Sequence, residues 1–162
     1  MRRVILDTKD VQILDALQKD GRLTNAELAQ SLGMSPSPCW RRVQRLEQIG
    51  VIRGYHADVD RQRVGLGVLA FVRASIDSFS EVEASRFAER IQGFEHVVAC
   101  YQVAGEVDYL LQIVAADLDS YESTVVDLRR IPGIRSMHTM FVLNEIKSPA
   151  GLPVRPTLED EA

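Results

Sequence analysis

The sequence predicts an α+β chain of two parts, three short helices followed by a β-α-β-β-α-β run. Two patterns carry this reading. In the first third, apolar residues recur at helical spacing between capping residues and glycines, whereas from residue 68 onward short β-branched runs alternate with capped amphipathic segments. Charge divides the chain at nearly the same place. Residues 1–53 hold nine Lys and Arg against six Asp and Glu, and the remainder holds ten against seventeen, so the net charge of −4 hides a basic part joined to an acidic one.

In the first part, Val11, Ile13, Leu14 and Leu17 predict a helix that stops at Asp20-Gly21-Arg22, with the glycine as its C-terminal cap. Thr24-Asn25-Ala26-Glu27 is a capping box, which starts a second helix burying Leu28, Ala29 and Leu32 and ending at Gly33. Ser35-Pro36-Ser37-Pro38 supplies a hydroxyl cap and first-turn prolines for a third helix running to about Ile49, with Gly50 as its stop. Cys39, Val43 and Leu46 form that helix's buried stripe, and Ser37, Arg41, Arg42 and Arg45 gather opposite. Residues 51–57 alternate like a strand or small wing, which makes a winged helix-turn-helix over residues 1–54.

Residues 55–66 read as a linker. Then come a strand at 68–76, a helix opened by the Ser80–Glu83 capping box and reaching Ile91, and strands at 97–103 and 109–115. A helix capped through Asp119 and Glu122 ends near Ile131-Pro132-Gly133, and a strand at 134–146 follows. This order is the ferredoxin-like split motif, an antiparallel sheet with two helices on one face, over residues 67–147. Residues 148–162 read as a tail with an acidic, disordered end.

Composition excludes several classes. A 46% hydrophobic, 26% charged chain has a packed core, and no window is apolar enough to span a membrane, so the expected location is the cytoplasm. Cys39 and Cys100 lack disulfide or metal spacing and read as packed, reduced thiols; His56, His96 and His138 are scattered, so no metal is expected. No P-loop, nucleophile elbow or dinucleotide fingerprint occurs, which argues against an enzyme.

The third helix carries the chemistry that suits DNA. Its N-terminus offers backbone N–H groups with Ser35, Ser37 and Pro38 around them, and Arg41, Arg42 and Arg45 share one side, where arginine can grip guanine through two hydrogen bonds. The alternative is a solvated basic face with surface ion pairs. Trp40 is either a packing residue or a DNA contact. A DNA-compacting architectural protein and a small ferredoxin-like enzyme are the competing functions.

The same residues carry a resemblance. Residues 25–29, 35–47 and 50–55, then Gly65-Leu66-Gly67, residues 105–111, Pro132-Gly133-Ile134 and residues 141–147, resemble the signature of the Lrp/AsnC family of leucine-responsive, feast/famine regulators, over nearly the whole chain. The resemblance implies a transcription regulator whose second part, the family's ACT-like RAM domain, binds an amino-acid effector and assembles dimers into tetramers or octamers. It places the effector between subunits, near the turn of Gly105, Glu106 and Asp108, with Asp108 meeting the ammonium group and Leu118, Met140 and Phe141 lining the site. Otherwise Asp108 simply caps a turn. Pro38-Cys39-Trp40 and the tail at 151–154 are similar to those of members that answer to cysteine, leucine or methionine. No cofactor beyond such an effector is expected.

Overall fold

The computed structural model describes residues 4–77, 81–148 and 151–157, with the side chains of 81–83 outside the description. The chain divides into two units, residues 1–58 together with 147–162, and residues 59–146.

The first unit holds α1 (Thr8–Lys19), α2 (Asn25–Ser31) and α3 (Pro36–Gln48). Ile13, Leu28, Ala29, Cys39 and Leu46 close its core, each at most 2% exposed. Both ends of the α2 box form: the Thr24 amide donates to Glu27 Oε2 at 2.8 Å and the Glu27 amide to Thr24 Oγ1 at 3.3 Å. An unexpected second box opens α1, where Asp7 and Asp10 exchange backbone-to-side-chain bonds. Gly21 does not cap α1 in a left-handed conformation. Asp20 ends that helix in extended geometry, and a Cβ on Gly21 would lie 3.3 Å from the Tyr55 ring, so the glycine serves a close approach. Gly33 and Gly50, at φ +60° and +72°, do end α2 and α3 with left-handed backbone.

Residues 51–57 form no strand. The amides of Val51 and Ile52 fold back onto the Leu46 carbonyl, and Tyr55 donates to Glu47 at 2.9 Å, so this segment is clamped to α3 and not paired as a strand. In the tail, the Leu152 backbone exchanges hydrogen bonds with the Gln18 side chain, Val154 packs on the core, and Thr157 bonds to Leu6 and Val4. The expected acidic end at 158–162 lies outside the described residues.

The second unit holds β1 (Val68–Ile76), α4 (Glu81–Ile91), β2 (Val97–Gln102), β3 (Tyr109–Ala115), α5 (Leu118–Arg129) and β4 (Ile134–Phe141), with the sheet order β2-β3-β1-β4 and every pairing antiparallel. Ala70, Val72, Ala74, Tyr109, Leu111 and Ile113 point from one sheet face at Phe87, Ile91, Tyr121, Val125 and Leu128 of the helices. This is the expected ferredoxin-like arrangement. The cap of α5 sits earlier than expected, at Asp117, which accepts from the Ser120 amide at 2.8 Å; Ser120 bonding holds its carboxyl below the usual range. β4 stops at Phe141, which pairs with Ala70, and only the Val142 amide reaches on to the Leu69 carbonyl, so the strand is shorter than the expected run to residue 146. The Ser80 cap falls outside the described residues. The segment read as a linker includes a folded turn, in which Asp60 accepts from the Gln62 amide and Arg61 grips the Leu66 and Gly67 carbonyls. Cys39 is fully buried, and Cys100 stands at an exposed position on the edge strand β2 with its thiol partly shielded by its neighbours; loss of solvent raises the pKa of both thiols, so neither is a ready thiolate.

Candidate DNA interface and effector site

The start of α3 departs from the expected cap for a chemical reason. Ser35 occupies the N-cap position, yet its hydroxyl makes no capping bond, because the third helical residue that would donate to it is Pro38, which has no N–H. With Pro36 first and Pro38 third, only the Ser37 amide remains among the first three helical residues, so the fan of N–H groups expected there reduces to one amide and the Ser35 and Ser37 hydroxyls. Asn25 fixes this end by donating to the Pro36 carbonyl at 2.9 Å.

The three arginines part ways. Arg42 Nη1 lies 2.7 Å from Asp7 and 2.7 Å from Asp10, and Arg45 Nη1 lies 2.9 Å from Asp10 with Nη2 donating to the Ile5 carbonyl at 3.1 Å. Asp10 itself is 1% exposed. These contacts raise the Arg42 pKa further, through Asp7 first and Asp10 second. Arg41 is exposed and makes no hydrogen bond or ion pair among the described residues. Trp40 is 54% exposed, which rules out a core role. At 100° per residue, Trp40, Arg41, Ser37 and Gln44 fall on the pole opposite Cys39 and Leu46. Gln44 was missed in the sequence, although its spacing from Trp40 and Arg41 placed it on their face; it is half-buried and its Nε2 donates to Glu47 Oε2 at 2.9 Å, so its amide is already engaged. Asp10 was also missed, and its signal was the Asp7-x-x-Asp10 spacing, the same as in the box read at α2.

In the second unit the six effector candidates form two groups at opposite ends of the sheet. At one end, the Val103 amide closes the β2–β3 hairpin on the Asp108 carbonyl at 2.9 Å, and Gly105 turns at φ +147°. Among the described residues the Asp108 side chain makes no bond within that turn: its Oδ2 accepts instead from the Ile76 amide at 2.9 Å, where the pairing of β1 with β4 slips. Glu106 is exposed beside it. At the other end, Leu118, Met140 and Phe141 are 60%, 44% and 46% exposed, and Phe141 meets Tyr121 edge-on at 5.0 Å. Asp108 adjoins Tyr109, the partner of Ala74, and Phe141 is the partner of Ala70. Four strand residues at about 3.3 Å each separate the groups by roughly 13 Å along the sheet. One copy of the chain therefore brings only half of the set together. A separate concavity of about 740 Å³ between α4 and β2, lined by Phe87, Ile91, Val97, Cys100 and Tyr109 among others, includes none of the six. Among the described residues no cluster suits a metal ion, and no helix is long and apolar enough to cross a membrane.

A helix-turn-helix with an exposed polar pole on its third helix, attached to a ferredoxin-like domain, defines the class of DNA-binding regulators with an appended ligand domain. Comparison with known proteins makes the assignment specific. Residues 6–53 match the family model for a winged helix-turn-helix DNA-binding domain, and residues 69–152 match the Lrp/AsnC ligand binding domain. The chain is 39% identical over 146 residues to a leucine-responsive regulatory protein of Rhizobium meliloti, covering 90% of this chain and 94% of that one. It is 35% identical to the leucine-responsive regulatory protein of Escherichia coli, covering 93% and 92%. Among solved structures, a transcriptional regulator from Neisseria meningitidis in complex with L-Met superposes with a TM-score of 0.86 at 40% identity, covering 91% of this chain and 96% of that one. This chain belongs to the Lrp/AsnC family of transcription regulators, with a DNA-binding helix-turn-helix and a ligand-binding domain.

Proposed function

We propose that the protein is a cytoplasmic, non-catalytic, sequence-specific regulator that reads DNA with the Ser37, Trp40 and Arg41 pole of α3, entered past Ser35 and Pro38, and answers to a free amino acid held between copies of the chain. The observation that carries the second half is the separation of the effector candidates. Asp108 and the Gly105–Glu106 turn of one copy pair with the ligand ammonium and carboxylate, and Leu118, Met140 and Phe141 of another enclose its side chain. Such a ligand favours assembly because it has its full affinity only for the assembled state. Dimers joining into tetramers or octamers supply the required second copy. Methionine is favoured by the L-Met complex of the Neisseria relative, with leucine and cysteine as the other candidates.

The test is a footprint on DNA selected from a random duplex pool, with each of the twenty amino acids screened first by thermal shift, since a ligand of the native state raises the melting temperature. Discrete phased protection that changes with the amino acid supports the reading; uniform coating indicates compaction instead. Arg41→Ala is expected to weaken specific binding by about 1–3 kcal/mol and relax one position per half-site. Unchanged binding by Arg41→Ala would remove α3's exposed pole as the reader.

A further inference from the structure

We infer that Asp10 is a positioning residue for DNA reading: by holding Arg42 and Arg45 against α1, it withdraws two of the reading helix's three arginines from the DNA and leaves base selection to Trp40 and Arg41. The inference rests on α3 being the reader, and it adds which of its cations are available.

Three features of the contact argue for it. Asp10 is 1% exposed, and its carboxylate takes three donors, Arg42 at 2.7 Å, Arg45 at 2.9 Å and the Asp7 amide at 3.3 Å. An arginine drawn out to a phosphate would leave that buried carboxylate short of a partner, so the exchange runs uphill. Second, each guanidinium has another tie besides Asp10. Arg42 also holds Asp7, and Arg45 also holds the Ile5 carbonyl, so both planes are fixed by two acceptors. Third, the geometry is built by a local device, because Asp7 caps α1 by accepting from the Asp10 amide at 2.8 Å, which sets the two carboxylates side by side facing α3. Arg41, lying between the locked pair and the Trp40 pole, has no such tie among the described residues.

The consequence is electrostatic. Arginines freed from Asp10 would meet phosphates, which attract every sequence alike, so the lock trades general affinity for selectivity. In Asp10→Asn the side chain keeps its shape and can still accept from the Asp7 amide, but it no longer holds two cations. With the full-length protein, binding is measured against salt on a selected duplex and on a shuffled duplex of the same composition. Asp15→Asn, at an exposed position on α1, controls for the added net charge. The expected result for Asp10→Asn is a slope of log K on log salt steeper by about 0.9 for each arginine released per reading unit. Binding to the shuffled duplex should tighten, and the ratio of specific to general affinity should fall by the order of tenfold. A purely structural role would lower the folded fraction and leave the slope alone.

Arg45→Gln tests the same idea from the other side and tolerates the chance that Asp10→Asn folds poorly. A locked Arg45 touches no phosphate, so its loss should leave the slope unchanged, whereas Arg41→Gln should weaken specific binding. If Arg45→Gln flattens the slope by about 0.9, or if folded Asp10→Asn matches Asp15→Asn in slope and ratio, the lock is refuted. If Arg41→Gln binds as the parent does, the α3 reading fails instead.

Discussion

Asp10 in the first unit and Asp108 in the second are both carboxylates placed beside the end of a regular element, and their surroundings give them opposite characters. Asp10 is buried and accepts from two guanidiniums and an amide, all from its own unit. Asp108 is half-buried and, among the described residues, its side chain accepts from one backbone amide, beside an exposed glycine turn. The difference teaches that a carboxylate's role follows from the number and charge of its internal donors. One that already faces two cations is committed to the fold, and one that faces a single neutral amide keeps capacity for a cationic ligand.

The largest expected effect follows from removing the first of these. Asp10→Ala leaves Arg42 and Arg45 without their buried partner and breaks one side of the α1 capping box. A buried pair broken from one side typically loses more than a surface pair, while the 32% and 46% exposure of the two arginine side chains lets water compensate in part. Unfolding of the first unit should become easier by about 2–4 kcal/mol, read from urea or thermal transitions followed by Trp40 fluorescence. A loss below about 0.5 kcal/mol would place Asp10 with ordinary surface ion pairs and dissolve the contrast.

Asp108 should behave the other way round. In Asp108→Asn the amide oxygen still accepts from the Ile76 N–H, so stability changes little, but the effector loses a charge-assisted bond worth about 1.5–3 kcal/mol, or roughly ten- to a hundredfold in affinity. Asp108→Ala should lose the affinity and about 1 kcal/mol of stability as well. Calorimetric titration with the best amino acid from the thermal screen checks both. Equal affinities in parent and Asp108→Asn would make Asp108 a hairpin tie only, like Asp10 in kind.

The elements were legible because their signals are local. Period-2 and helical patterns, with Thr24–Glu27 and the glycines at 33 and 50, mark where chains turn, and these constraints act within a few residues. What stayed illegible depends on partners distant in sequence. Nothing near Arg42 or Arg45 announces that Asp7 and Asp10, over thirty residues earlier, claim them. The end of β4 at Phe141 lies in its register with β1, where the last pair is Ala70 and Phe141, and that register is not marked in residues 142–146. The missing hydroxyl cap of α3 was readable in principle, since a proline at the third helical position always removes that donor. The division of the effector candidates between sheet ends needed the register, because residues 108 and 141 carry no mark of which strand end they occupy.

The smallest expected effect concerns Asp7, the exposed rim of the same cluster, and it separates rim from centre. The Asp10 amide above all holds the Asp7 carboxyl below its ordinary value of 3.8; burial, next in size, opposes it, and Arg42 adds to the lowering. A carboxyl whose folded pKa is depressed contributes stability that is present above its unfolded pKa and is lost as pH falls through the folded one. The first unit should therefore lose Asp7's contribution only below about pH 4, and because the side chain is 53% exposed the amount should stay within about 1 kcal/mol. Glu27 and Asp117 are depressed as well, so acid alone would mix several carboxylates. Comparing the parent with Asp7→Asn isolates one. Asparagine can still accept from the Asp10 amide but carries no charge for Arg42 and does not titrate. The melting temperature of the parent should exceed that of Asp7→Asn near neutral pH, and the two should converge as pH falls from about 4 towards 2. A gap that stays constant over that range would mean that the charge of Asp7 contributes nothing, leaving the centre of the cluster at Asp10 to hold both arginines alone.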